Sequence, residues 1–300
     1  MDERLAKAPA CDFALTPERV AFARRFSIEA TRPGENEIAA IADLLAPGTA
    51  VYLSAVPNTN PAELVVAASR ISKAGLEPVA HIAVRRLASA DELNVLLKSL
   101  RDQAGMRRLL VIGGDVDSCG PYADALALIQ RGGLREIGFE EIGIAAYPEG
   151  HPRIQSDRLE AALDEKIASA TAQGLQVHIV SQFSFSPERV LTWLRQLRGC
   201  GIAVPVKVGM AGPTSVPALL RYARRCGVAA SLRGLMTGVA SGLIGHVGPA
   251  RMIDVLAGAD DLGDIAPHYF SFGGVVETAC YACEAASLTQ LPSRAMAHPN

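Results

Sequence analysis

Short apolar segments alternate with longer segments of helical pattern along most of the chain, and this alternation restricts the chain to a few folds. Near-continuous apolar runs are typical of strands that are buried on both faces, as in a parallel sheet. The predicted strands are residues 25–30, 50–56, 78–84, 108–112, 142–147, 176–183, 205–208 and 269–272.

Segments with helical periodicity fill the intervals between these strands. Ser89 precedes two acidic residues and Ser186 precedes a proline, and both patterns are typical of a helix start. Gly105 and Gly174 follow helical runs, where glycine commonly ends a helix. Eight strands that alternate with helices favour an α/β fold of the (β/α)8 TIM-barrel type over an open sheet. The predicted helices are residues 35–45, 61–74, 89–104, 122–130, 157–172, 187–198 and 216–226.

Residues 226–267 interrupt the alternation and predict extra helices before the last strand. We find no interdomain linker, low-complexity tract or internal repeat in the sequence. We therefore predict a single barrel domain over residues 1–300, with residues 1–21 as an N-terminal extension and residues 288–300 as a C-terminal tail.

The composition argues against several classes of protein. Hydrophobic residues make up 49% of the chain and charged residues 20%, whereas disordered chains are poor in apolar residues. The 29 basic residues do not exceed the 31 acidic ones, so nucleic acid is not an expected partner. The sequence has no signal-peptide pattern and no long apolar segment without charges. We therefore expect no membrane span, and a cytoplasmic location with reduced thiols.

Polar residues follow or end several predicted strands, where a barrel of this type places its active site. Glu29 ends the first strand, His81 lies in the third, Asp115 follows the fourth, Tyr147 ends the fifth and Gln182 lies near the end of the sixth. We expect these side chains to converge on one face of the barrel.

Each of these residues also has a structural interpretation. Glu29 could be a solvated strand end, and Asp115 after two glycines could be a turn or helix-cap residue. His81 within an apolar run is more often a core histidine than a catalyst. Gln182 is harder to explain structurally, because a buried amide needs several hydrogen-bond partners.

The lone pair Cys280 and Cys283 has the CxxC spacing but falls in a predicted helix without a second pair, so we interpret it as helix packing and expect no metal site. The sequence contains no phosphate-loop, zinc-protease, nucleophile-elbow or dinucleotide-fold motif that would point to those functions.

Four elements in chain order resemble the methylenetetrahydrofolate reductase family. They are Glu29 on the first strand, GGD at 113–115, AAYPEGHP at 145–152 and SQFSF at 181–185, and the resemblance extends over residues 22–287. It implies a flavoprotein (β/α)8 barrel that uses FAD and a nicotinamide, NADH or NADPH. Such an enzyme interconverts 5,10-methylenetetrahydrofolate and 5-methyltetrahydrofolate, so its ligands would be a folate and a nicotinamide. The resemblance leaves the oligomeric state open, a homo-oligomer included.

The resemblance also implies roles for individual residues. Glu29 would be the general acid, Asp115 the catalytic carboxylate beside flavin and folate, and Gln182 the amide shared by the folate and nicotinamide sites. The positions that would hold FAD are His81, Gly114, Asp115, Ala123, Tyr147, His151 and Lys166.

The proposed acid must be protonated near neutral pH, and we expect burial at the barrel mouth to raise the pKa of Glu29 for this purpose. Asp115 would stabilise the cation that forms on the folate. The sequence also departs from the family, because GGD stands where RGD is more usual and Gly113 thus replaces an arginine expected near the flavin.

These departures suggest a divergent member, for example one that oxidises methyltetrahydrofolate. Two alternatives remain at this point, a folate-binding barrel enzyme without flavin and a non-catalytic partner subunit.

Overall fold

Eight parallel strands close into a barrel in chain order, with β1 pairing both β2 and β8. The structure is a computed structural model and describes residues 16–57, 60–117, 120–226, 228 and 249–287. The fold is therefore the predicted (β/α)8 barrel. The strands are β1 Ser27–Ala30, β2 Ala50–Leu53, β3 Glu77–Ala83, β4 Arg108–Ile112, β5 Glu141–Ala146, β6 Gln176–Ser181, β7 Val206–Ala211 and β8 Ile265–Phe270.

Helices surround the barrel. Five of them begin at a residue whose side chain accepts a hydrogen bond from a backbone N–H of the first turn, and these residues are Thr16, Asn60, Ser89, Asp124 and Ser186. A 3-10 turn, Val84–Arg86, follows β3. The helices are α1 Pro17–Ala23, α2 Glu35–Leu44, α3 Pro61–Lys73, α4 Ala90–Ala104, α5 Ala125–Arg131, α6 Leu134–Ile137, α7 Ser156–Ala172, α8 Pro187–Gly199, α9 Val216–Cys226, α10 Ala250–Ala257 and α11 Val275–Ala285.

Two apolar layers explain why the strands read as continuous apolar runs. Ile28, Leu53 and Ile82 belong to the large core between the strands and the helices. Tyr52 and Val79 belong to a smaller cluster of residues inside the barrel. Successive side chains of a strand point to opposite faces, and here both faces are buried.

The last strand differs from its predicted bounds. The prediction began it at Tyr269, after Pro267, whereas β8 spans Ile265–Phe270 and contains that proline. β8 pairs with β7 along its whole length, but its pairing with β1 begins only at His268. Pro267, which has no N–H to donate, therefore lies before the part of β8 that pairs with a strand on both sides.

The predicted extra helices before this strand are represented by α10, while residues 227 and 229–248 of that interval lie outside the described residues. Helix α1 was not predicted and begins within the predicted N-terminal extension. Arg19 of α1 forms an ion pair with Asp254 of α10, with 2.6 Å between Nε and Oδ1. The assignment of one domain with two terminal extensions stays a prediction.

Cys280 and Cys283 lie on α11, as the helix prediction expected, and both are free thiols. No helix in the described part of the chain is long and apolar enough to cross a membrane.

Candidate active site

A cavity of about 1890 Å³ opens at the carboxyl ends of the strands, where barrel enzymes place their chemistry. This volume exceeds the range of about 300–1,000 Å³ that is common for a single small ligand, so the cavity is large enough for two. Ala123 is the predicted site residue that does not line it, although its neighbour Asp124 does. The predicted residues that line it are Glu29, His81, Gly114, Asp115, Tyr147, His151, Lys166 and Gln182.

Glu29 is buried at the floor of the cavity, with 9% of its surface exposed. The hydroxyl of Ser54, just beyond β2, donates to Oε1 of Glu29. Nε2 of His268 on β8 lies 3.5 Å from Oε2, which is longer than an ordinary N–H···O bond. The other ring nitrogen, Nδ1 of His268, lies 2.9 Å from the hydroxyl oxygen of Ser27. Ser27, His268 and Glu29 thus form a row that ends in the cavity.

The expected rise in the pKa of Glu29 does not occur. Burial alone would raise the pKa of this carboxyl, but the nearby His81 and His268 and the hydroxyl of Ser54 outweigh it, and the pKa lies below its ordinary value. The surroundings of Glu29 thus favour its ionised form more than burial alone would. The sequence prediction was wrong because it considered burial without the histidines that the barrel closure brings to the first strand.

His81 lines the cavity and is itself buried, and burial lowers the pKa of its imidazole despite the nearby Glu29. Its Nε2 has no hydrogen-bond partner among the described residues. A buried polar atom without a partner is unfavourable, and a cavity-lining one is a natural contact for a ligand. His81 is thus more than a satisfied core histidine.

Asp115 lies at the rim of the cavity rather than in its interior. Its side chain is 57% exposed and forms an ion pair with Arg86, which follows β3. The sequence prediction gave this carboxylate the role of stabilising a cation on the substrate. In the structure its charge is paired with a guanidinium, and its role toward a substrate stays a prediction.

The segment after β5 turns sharply beside the cavity. The N–H of Gly150 donates to the carbonyl oxygen of Tyr147, and the rings of Tyr147 and His151 meet edge to face with centroids 5.2 Å apart. Gln182, beyond β6, accepts from the N–H of Glu149 at 3.2 Å. These contacts position the side chains of the AAYPEGHP and SQFSF segments next to one another.

Lys166 of α7 also lines the cavity, and burial lowers the pKa of its amine, while the nearby Asp124 opposes this shift. A half-buried cation at this place is suited to an anionic ligand group. Its assignment to a cofactor stays a prediction.

Two features of the cavity were not predicted from the sequence. An aromatic cluster of Phe183, Phe270, Phe272 and Tyr222 forms the wall near β6 and β8, with the rings of Tyr222 and Phe272 stacked at 4.2 Å. The aromatic residues at 183–185 and 269–272 were the available signal, but they were interpreted as strand residues.

The second is Arg85, whose guanidinium lies beside the glycines that follow β4. The sequence analysis noted that Gly113 stands where the family more usually has an arginine, near the flavin. The turn after β3 brings a different guanidinium, that of Arg85, beside this position.

Comparison with known proteins identifies the family of the chain. The family model of methylenetetrahydrofolate reductase matches residues 58–232, which is more than half of the chain. The chain belongs to the methylenetetrahydrofolate reductase family. The resemblance seen in the sequence is thereby confirmed.

Curated relatives agree with this family at modest identity. The chain is 30% identical over 115 residues to 5,10-methylenetetrahydrofolate reductase of Buchnera aphidicola, a match that covers 37% of this chain and 36% of that protein. It is 27% identical over 139 residues to the enzyme of Pectobacterium carotovorum, covering 46% and 44%. It is 26% identical over 138 residues to that of Salmonella typhimurium, covering 46% and 45%. The chain thus spans less than half the length of each of these relatives, as expected of a divergent member.

Solved structures with related backbones share little sequence with the chain. Dihydropteroate synthase from Thermus thermophilus has 17% identity and a TM-score of 0.46, with 86% of this chain and 90% of that chain covered. Deoxyribose phosphate aldolase from Aeropyrum pernix has 14% identity and a TM-score of 0.43, with 63% and 77% covered. Neither likeness bears on function.

Proposed function

We propose that the protein is a flavin-dependent oxidoreductase that interconverts 5,10-methylenetetrahydrofolate and 5-methyltetrahydrofolate with a nicotinamide dinucleotide. Family membership supports this reaction. The observation that carries the proposal is the buried carboxylate of Glu29 at the floor of a cavity that Gln182 and most of the predicted cofactor-binding residues also line.

The residues present fit a bound FAD. His81 offers a buried nitrogen without a partner, and Gly114 has no side chain, so a ligand can approach the backbone there. Arg85 and Lys166 supply cations to the same cavity. When bound, FAD supplies the site that accepts or donates a hydride.

The state of Glu29 is compatible with the direction in which methyltetrahydrofolate is oxidised. After hydride leaves the methyl group, the five-membered ring closes by attack of N10, and N10 must lose its proton. An ionised carboxylate can accept that proton as a general base. In the reducing direction the same carboxyl must carry a proton and deliver it to N10. We propose methyltetrahydrofolate oxidation as the role because the chain is a divergent member of its family, and the lowered pKa of Glu29 is compatible with it.

Gln182 is proposed to orient the folate and, in turn, the nicotinamide. Its amide both donates and accepts hydrogen bonds, so it suits two ligands that alternate at one place. The nicotinamide and the folate would then react in separate half-reactions, which gives ping-pong kinetics. The aromatic cluster offers ring faces on which a planar ligand can stack.

An absorbance experiment tests this proposal. The purified protein is examined for flavin absorbance, incubated with FAD if colourless, and then mixed anaerobically with NADH or with 5-methyltetrahydrofolate in separate cuvettes. We expect both reductants to bleach the flavin band. A protein that binds no FAD, or a flavin that neither reductant bleaches, would contradict the proposal.

A second candidate function is a folate enzyme of the same fold that works without flavin. The pairing of Asp115 with Arg86 favours it, because the carboxylate assigned to the flavin edge is already engaged. This candidate predicts transfer between NADH and methylenetetrahydrofolate by a colourless protein, with no gain in rate on addition of FAD. A non-catalytic partner subunit, the remaining alternative, predicts no turnover with any of these ligands.

A further inference from the structure

Behind the floor of the cavity, His268 of β8 lies beside Ser27 and Glu29 of β1. Ser27 and His268 are opposite each other in the parallel pairing of the two strands. Side chains two residues apart on a strand point to the same face, so Glu29 shares the face of Ser27. All three side chains are buried, and of the three only Glu29 lines the cavity. His268 can therefore act on a bound ligand only through the carboxyl of Glu29.

The two ring nitrogens of His268 have different surroundings. Nδ1 lies 2.9 Å from the hydroxyl oxygen of Ser27, which is an ordinary hydrogen-bond distance. Nε2 lies 3.5 Å from Oε2 of Glu29, and neither of these two atoms has a hydrogen-bond partner among the described residues. Buried polar atoms without a partner are unfavourable, and one added proton between Nε2 and Oε2 would satisfy both.

The distances also indicate which nitrogen of the neutral ring carries the hydrogen. The hydroxyl of Ser27 can donate or accept, so it suits either tautomer. If Nε2 carried the hydrogen, it would donate to the carboxylate of Glu29 at about 2.7–2.9 Å. The longer distance of 3.5 Å favours the tautomer in which Nδ1 donates to Ser27 and the lone pair of Nε2 faces Oε2.

Titratable groups of four other strands face this pair. Burial lowers the pKa of His268, and nearby positive charges lower it further, whereas the carboxylate of Glu29 raises it. The neutral imidazole is therefore favoured, and a proton that it accepts is readily given back. The facing groups are Tyr52 on β2, His81 on β3, His178 on β6 and Lys207 on β7.

We propose that His268 is a positioning residue that shares the transferred proton with Glu29. The inference rests on the proposed function, because this proton is the one on N10 of the folate. During oxidation of methyltetrahydrofolate, the lone pair of N10 forms a bond to the methylene carbon of the iminium cation, whose C=N electron pair moves to N5. The N10 proton passes to the carboxylate of Glu29 and is then held between Oε2 and Nε2, while Nδ1–H still donates to Ser27. In the reverse reaction the same proton returns to N10.

The protein without ligands tests the pair without any turnover. Nitrogen NMR of the imidazole rings is followed against pH in histidine-labelled protein, and the signals lost in His268→Gln identify this residue. We expect the neutral ring to carry its hydrogen on Nδ1. In Glu29→Gln the ring should protonate at a lower pH, because the carboxylate that raises its pKa is gone. A hydrogen on Nε2 in the wild type, or a titration that Glu29→Gln leaves unchanged, would overturn the inference.

The two half-reactions test the consequence for the folate. His268→Gln keeps a side chain that can hydrogen-bond to the carboxylate, but an amide does not take up the proton. The folate half-reaction should slow by about 10- to 100-fold, as for loss of a hydrogen bond to a charged group, while bleaching by NADH should change less than about twofold. The pH profile of the folate half-reaction should move to higher pH, because the imidazole lowers the pKa of Glu29.

A second histidine and a milder change provide the controls. His178 is as buried as His268, but its partners are Tyr52 and Glu141. His178→Gln should therefore leave the ratio of the two half-reaction rates within about twofold of wild type. Ser27→Ala keeps the imidazole and removes the hydroxyl beside Nδ1, so it should slow the folate half-reaction less than His268→Gln and increase the share of the Nε2–H tautomer. Urea unfolding verifies that each variant is folded.

The outcomes separate this inference from the proposed function. Equal slowing of the two half-reactions by His268→Gln, or a pH profile that this variant leaves unchanged, would show that His268 has only a structural role. A wild-type flavin that methyltetrahydrofolate does not reduce, together with a titration of His268 that depends on Glu29, would contradict the proposed function while confirming that the two residues share a proton.

Discussion

The barrel contains two adjoining buried rows of hydroxyl, imidazole and carboxylate, an upper row that reaches the mouth and a lower row that reaches the amino end of β5, and they differ in how closely they are paired. At the mouth, the row is Ser27, His268 and Glu29, with distances of 2.9 Å and 3.5 Å. The lower row is Tyr52, His178 and Glu141, with 2.8 Å from the hydroxyl to Nε2 and 2.6 Å from Nδ1 to the carboxylate. It adjoins the upper row, because the ring of Tyr52 meets that of His268 at 4.7 Å. The same three kinds of group thus lie close together in the lower row and farther apart in the upper row.

The surroundings of the two rows differ in the same sense. Glu141 also pairs with Arg108 at 2.8 Å, which itself pairs with Glu77 at 3.1 Å, so a carboxylate there has partners on several sides. Oε2 of Glu29, which lines the cavity, has no hydrogen-bond partner among the described residues. Nδ1 of His178 makes no well-formed hydrogen bond either, but it lies 2.6 Å from the carboxylate of Glu141, and neither residue lines the cavity. A polar group that is left unpaired costs stability, and such groups commonly mark a place where a ligand binds. We therefore interpret the lower row as structural and the upper row as functional.

The largest expected effect is that of Glu29→Gln on folate turnover. The amide cannot accept or release the N10 proton, so the folate half-reaction should slow by about 10²- to 10⁴-fold. The rate at which NADH bleaches the flavin should change much less. Stopped-flow absorbance of the two half-reactions measures both. Equal loss of the two rates would show that Glu29 does not act on the folate proton.

The stability of the protein should fall as the pH drops from 7.5 to 5.5. Burial lowers the pKa of His81, His178 and His268, so the folded state favours their neutral forms and the unfolded chain takes up protons first. This stability is present above the ordinary histidine pKa of about 6.5 and is lost below it, by up to about 4 kcal/mol for the three groups together.

The carboxylates act at lower pH. Glu29 and Glu141 have lowered pKa values, so the stability that they contribute is lost only as the pH falls below about 4.3. The pKa of Glu77 is raised, so protonation of this group in the same pH range stabilises the folded state instead. Urea unfolding at a series of pH values measures the slope of the free energy of unfolding against pH. His178→Asn and His268→Asn should each flatten it, and a slope that neither variant changes would disprove the assignment to these rows.

The matched change at the other end of the barrel, Glu141→Gln, should affect stability instead of turnover. It keeps the size of the side chain and removes the charge that Arg108 and His178 contact. The free energy of unfolding should fall by about 1.5–3 kcal/mol, the range for hydrogen bonds to charged groups. Turnover per folded molecule should stay within about twofold of wild type, because the residue is remote from the cavity. A large loss of turnover would remove the distinction between the two rows.

The sequence was sufficient to predict the barrel and the end of the barrel at which the cavity opens. The barrel follows from the periodicity, and the position of the cavity follows from the rule that barrel enzymes place their active site at the carboxyl ends of the strands. Glu29, His81 and Gln182 are predicted in this way to converge at one end of the barrel, and all three line the cavity. The charge state of Glu29 was not predicted, because it depends on His268, which the barrel closure brings from the last strand to the first. Arg85 was missed for a similar reason. Two arginines after a strand are typical of a solvated end, and only the pairing of β3 with β4 places one of them beside Gly113.

The smallest expected effect is that of Gly143→Ala, which tests how tightly the lower row is packed. A Cβ atom at this position on β5 would lie 2.7 Å from Nε2 of His178 and 3.0 Å from Cδ1 of Leu110. The imidazole would have to move away from the hydroxyl of Tyr52, so unfolding should become easier by about 1–2 kcal/mol, as for other overpacked cores.

Gly199→Ala at the end of α8 is the matched control, because a Cβ atom there would meet no atom within 4 Å. That variant should be as stable as wild type or more stable by up to about 1 kcal/mol, since alanine has a higher helix propensity than glycine. Urea denaturation measures both variants. If Gly143→Ala were as stable as Gly199→Ala, the imidazole of His178 would be free to shift, and the lower row would be no more rigid than the upper one.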